Sequence, residues 1–142
     1  MAQVTAGRGS DSGDVSPGVV TGYVVVAWLF VLSVLVQAFL AGRGLYPSYD
    51  TDLIDTHGIV ANVVFLLALA QVVLAFLATK ASRQRGLLLG LTGLLLVLTV
   101  AQIAMGYAIE DERGAGGWHI ANGVLIMGLA TAHAVLITGN RR

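Results

Sequence analysis

Cysteine is absent from this chain, which excludes disulfides, thiolate metal sites, iron–sulfur clusters and thioether-linked haem. Charge is scarce: 11% of residues are Asp, Glu, Lys or Arg, against about 25% in an ordinary soluble domain. The eight basic and eight acidic residues cancel, and no run of basic residues is longer than Arg141–Arg142, so a nucleic-acid-binding surface is not expected. Proline occurs only at Pro17 and Pro47, outside every long apolar stretch. There is no Ser/His/Asp set, no His/carboxylate metal cluster and no phosphate loop, so an enzyme is the least supported class.

What the chain does have is apolar sequence. Hydrophobic residues make up 56% of its 142 positions, and the mean hydropathy is +0.82. Four stretches, at about 18–42, 56–79, 86–108 and 118–139, each contain at least 22 residues without Asp, Glu, Lys, Arg or Pro. About 20 helical residues cross a hydrocarbon core, and backbone polar groups in lipid must be satisfied within the segment. The expected fold is therefore all-α: a four-transmembrane-helix up-down bundle occupying 18–139. Residues 1–17 are polar and Gly/Ser-rich and read as a disordered cytoplasmic tail. The first span is too long for a signal-peptide core and is expected to be retained.

Charge distribution predicts the orientation. Arg8, Lys80, Arg83, Arg85, Arg141 and Arg142 fall on one side of the spans. Only Arg43 and Arg113 fall on the other, beside Asp50, Asp52, Asp55, Glu110, Asp111 and Glu112. The positive-inside rule then predicts a multi-pass cell-membrane protein with cytoplasmic N- and C-termini, and outer loops at 43–55 and 109–117. Tyr46, Tyr49, Tyr107 and Trp118 lie near that outer boundary, as interfacial aromatics do. The three outer aspartates do not match a calcium loop.

The two halves of the chain are weakly related, which makes the bundle two related helical hairpins. Gln37 near the end of the first stretch matches Gln102 near the end of the third. An acidic loop follows in each half, and then a histidine opens the even-numbered stretch: His57 in THGIVAN and His119 in WHIANG. Ala61-Asn62 and Ala121-Asn122 are two residues out of register, so the repeat is imperfect.

Histidines inside spans are functional-site candidates. The second and fourth spans run in the same direction, so His57 and His119 are expected at one depth near the outer face. Two imidazoles facing across a bundle suit axial ligation of haem iron, with Gln37 and Gln102 placed to supply hydrogen-bond acceptors for the opposite ring nitrogens. Gly42, Gly58, Gly106 and Gly123 would leave room for a macrocycle. Singly, each histidine reads equally as a boundary residue of an amphipathic helix end, and each glutamine as interhelical glue. His133 lies 14 residues beyond His119, about 21 Å deeper and within about 40° of the same face. Gln71 is its counterpart in the first half, so a second bis-histidine haem is not expected. The pair instead offers hydrogen bonds to a quinone or to neighbouring helices.

The pattern of a span ending in Gln, an acidic or aromatic loop and a His opening the next span resembles the four-helix units of haem-binding membrane proteins. These are the small cytochrome b-type membrane proteins and the four-helix halves of haem A synthase. The QAFLAG segment at 37–42 also resembles a group of small four-span prokaryotic membrane proteins. The resemblance spans 20–139. It implies axial haem ligation by His57 and His119. The expected function is that of a membrane protein with one haem b that transfers single electrons, with a quinone or a respiratory-chain protein as redox partner. Synthase activity is not implied, because no span carries a glutamate. The alternative expectation is a cofactor-free membrane subunit, anchor or assembly factor, as a homo-oligomer or within a larger complex. A transporter lacks support, because the spans carry no carboxylate, Arg or Gly/Pro-broken helix pair.

Overall fold

The computed structural model describes residues 15–109 and 114–139. Four helices follow one another: α1 (Pro17–Leu45), α2 (Thr51–Ala78), α3 (Arg85–Ala108) and α4 (Ala115–Gly139). All four are long and apolar enough to cross a membrane. Glu110, Asp111, Glu112 and Arg113, the tail with Arg8, and Arg141 and Arg142 lie outside the described residues.

The helices extend beyond the apolar stretches, and the chemistry of their ends explains why. Pro17 opens α1, where a missing N–H costs nothing because first-turn donors have no helical partner. Asp50 caps α2 by accepting from the Leu53 N–H at 3.2 Å, so the helix starts five residues before the expected 56. Asp52 falls in its first turn, where the helix dipole favours a carboxylate. The outer connection expected over 43–55 is thereby reduced to 46–50. Gly44 allows that tightness, since a Cβ there would stand 2.7 Å from Ile54 Cδ1. At the opposite end the 79–84 turn is closed by Ser82 N–H to Thr79 O and Arg85 N–H to Ser82 O. The Arg85 guanidinium lies 4.9 Å from the centre of the Phe76 ring.

Packing runs around a closed square. α1 meets α2, α2 meets α3, α3 meets α4, and α4 returns to α1. Neither diagonal pair, α1 with α3 or α2 with α4, approaches at the Cα level among the described residues. This is the up-down bundle the four stretches predict. Large apolar side chains such as Leu32, Phe39, Leu66, Val97 and Val124 point outward, as a bilayer requires. Tyr46, Tyr49, Tyr107 and Trp118 are also exposed and form an aromatic girdle around the end that carries the 46–50 turn.

The interior is unevenly filled. Toward the 79–84 turn the core is close-packed, with Tyr23, Ala27, Phe30, Ala68, Ala130 and Ala134 all buried. Toward the other end it thins: no residue of 51–63, 100–108 or 116–125 is buried. Buried threonines add little polarity, because Thr92 and Thr99 donate to carbonyls of their own helix at Leu88 and Leu95.

Alanines at the crossings let the helices approach closely, so Ala134→Leu is expected to overpack the core and cost about 1–3 kcal/mol. Val124→Leu, on the outward face, is expected to be neutral. Thermal unfolding in detergent, compared for the two variants, checks this.

Candidate functional site: two histidines on diagonal helices

His57 stands in the second turn of α2 and His119 in the second turn of α4, at the thinly packed end. Although these helices are diagonal, the two rings meet across the interior with centroids 6.1 Å apart and planes inclined by 58°. Both are half-buried.

Each ring is held in the same way. His57 Nδ1 donates to the main-chain carbonyl of Gln37 on α1 at 3.1 Å, and His119 Nδ1 donates to that of Gln102 on α3 at 3.0 Å. A carbonyl only accepts, so both Nδ1 atoms carry the proton and both Nε2 atoms of the neutral rings keep a lone pair. Nε2 lies across the ring from the bonded side. The helix carbonyls lose nothing, since each oxygen has a second lone pair beyond its helical bond. The glutamines thus contribute through their backbone, whereas the sequence left open which of their acceptor groups was used.

Two of the four candidate glycines adjoin the site. A Cβ on Gly106 would stand 3.3 Å from His119 Cε1, and one on Gly123 would stand 3.3 Å from the Gln102 amide nitrogen. Gly42 and Gly58 have open space around the same position.

The repeat is therefore real in its hydrogen bonds and broken in its asparagines. Asn122 Nδ2 reaches Leu98 O at 2.9 Å and Gln102 Oε1 at 2.7 Å, tying α4 to α3. Asn122 is three residues after His119, about 60° around the helix from it. Asn62 is five residues after His57, about 140° away. It bonds its own helix at Gly58 O, and the buried Gln37 Oε1 has no hydrogen-bond partner.

His133 and Gln71 are buried in the close-packed half, away from the histidine pair. His133 Nε2 is bonded to the Tyr23 hydroxyl at 2.6 Å, joining α4 to α1. No hydrogen bond links His133 to Gln71. Sequence reasoning missed Tyr23 because 110 positions separate it from His133, although it is the only phenol within the first apolar stretch. Asn122 was visible only as a repeat marker; its three-residue spacing from His119 is the signal that could have placed it beside that ring.

Comparison of the chain with family models, curated proteins and solved structures found no match.

Interhelical polar bonds in membrane bundles average about 0.6 kcal/mol and reach about 1.7. Asn122→Ala is expected to cost the upper part of that range, because it removes two such bonds. Asn62→Ala is expected to cost less, since it removes an intrahelical one. Denaturant titration in mixed micelles compares the two.

Proposed function

We propose that the protein is a membrane-embedded b-type haem protein that transfers single electrons, with His57 and His119 as the two axial ligands. The observation that carries this reading is the pair of equally held imidazoles on diagonal helices. Two metal–nitrogen bonds of about 2.0–2.1 Å in line would hold the ring centres about 6.4 Å apart. The observed separation is 6.1 Å. The donor set fits as well: both rings are fixed in the tautomer that offers Nε2, with Nδ1–H given to a carbonyl as metal-bound histidines typically require. The thin packing of 51–63, 100–108 and 116–125 lies at the same end.

When bound, haem b supplies a one-electron iron couple. The chain's own residues hold and orient. The Gln37 and Gln102 carbonyls prevent ring rotation, and Asn122 fixes α3 against α4 next to His119. Gly106, without a side chain, leaves room for the His119 ring beside α3. With His57 and His119 both holding the iron, the group would serve electron transfer and not oxygen binding. Kinship with cytochrome b-type membrane proteins, and exchange of electrons with a quinone or respiratory-chain partner, belong to this proposal. So does an orientation with the 46–50 turn outside and the termini in the cytoplasm. It is supported by Lys80, Arg83 and Arg85 at the end where α1 begins and α4 finishes.

The test is an absorbance spectrum of detergent-purified protein from haem-replete cells, oxidised and then dithionite-reduced. A low-spin b-type spectrum is expected, lost in both His57→Ala and His119→Ala and kept in Ile59→Ala, which faces outward. A colourless wild-type protein overturns the reading in favour of a cofactor-free subunit.

A further inference from the structure

The close-packed half of the bundle holds a second polar group that the histidine pair does not use. Gln71 is 1% exposed and His133 is not exposed at all. Both Gln71 Nε2 and His133 Nδ1 are buried without a hydrogen-bond partner. Buried polar nitrogens without partners are rare because each forfeits its hydration.

The proton on His133 can be placed. Its Nε2 lies 2.6 Å from the Tyr23 hydroxyl, which has no other partner. If that hydroxyl accepted, its own buried proton would have no acceptor, so it donates, and Nε2 is the accepting nitrogen. The neutral imidazole then carries its hydrogen on Nδ1. Gln71 Nε2 is a donor as well. The buried unmatched nitrogens are therefore two N–H donors, and each lacks an acceptor.

Their level in the bundle follows from the repeat. Gln71 and His133 each lie 14 residues, about 21 Å, beyond His57 and His119, whose rings meet between the diagonal helices α2 and α4. The same rotation of about 40° applies to both. Two buried donors on the diagonal helices α2 and α4 thus face the interior at one depth.

We propose that His133 Nδ1–H and the Gln71 amide N–H bind one hydrogen-bond-accepting oxygen that is not part of the chain, with Tyr23 fixing the His133 tautomer. The ligand is an uncharged oxygen acceptor: an internal water, or the carbonyl of a small apolar compound. This site is independent of the histidine pair 21 Å away and stands whether or not that pair binds haem.

Two measurements on the full chain in detergent decide it. Gln71→Met keeps side-chain length and removes the amide. If an acceptor oxygen is bound, this variant loses thermal stability; if the amide is unmatched, the variant gains stability, which overturns the proposal. On wild-type protein labelled with 15N-histidine, NMR is expected to show a protonated His133 Nδ1. Cross-relaxation of that proton with water identifies the water form. Recovery of near-stoichiometric carbonyl compound by solvent extraction, absent from Gln71→Met, identifies the carbonyl form. A deprotonated Nδ1, or neither water contact nor extracted compound, overturns the site even if the variant fails to fold.

Discussion

Two hydrogen bonds, from His57 Nδ1–H to the Gln37 carbonyl and from His119 Nδ1–H to the Gln102 carbonyl, are the constraint on which the rest of the site depends. Each links the two helices of one hairpin and sets the tautomer of one ring. Together they leave two Nε2 lone pairs in the interior of a bundle where polar groups are costly. Without them the imidazoles would be free to turn toward the headgroup region, and the two hairpins would lose what they have most clearly in common.

The two ends of the bundle are built on different principles. Near the 79–84 turn, small and medium residues let the helices close tightly, the threonine hydroxyls bond within their own helices, Tyr23 bonds His133, and Gln71 Nε2 and His133 Nδ1 are left without partners. Near the 46–50 turn, side chains are half-buried and order comes from directed bonds: the two histidines, and Asn122 on Gln102. Dispersion is the main source of helix cohesion in lipid, so stability rests on the first end. The second end is held by these directed bonds more than by close packing.

Much of this was legible in the sequence. Four uncharged stretches of more than 20 residues leave a helical bundle as the reasonable fold, and equal depth follows for His57 and His119 because alternate spans run in parallel. Helix ends were less legible, because Asp50 and Asp52 look like loop residues until their capping role is considered. The diagonal placement of the two histidines follows from the closed square of packing, which no local pattern encodes. The use of main-chain carbonyls at Gln37 and Gln102 was invisible for the same reason: every residue has one, and only the register of two helices decides which is used. Tyr23 shows the limit of reading one stretch at a time, since its partner lies on the last helix.

The account's central claim is that both rings present Nε2 to one iron. Pulsed electron–nuclear double resonance on the oxidised protein, grown with 15N-histidine, measures this directly. The account predicts a low-spin ferric signal coupled to two histidine nitrogens, one contributed by His57 and one by His119. Coupling to a single histidine nitrogen, a high-spin signal, or no iron signal from haem-replete protein would contradict it.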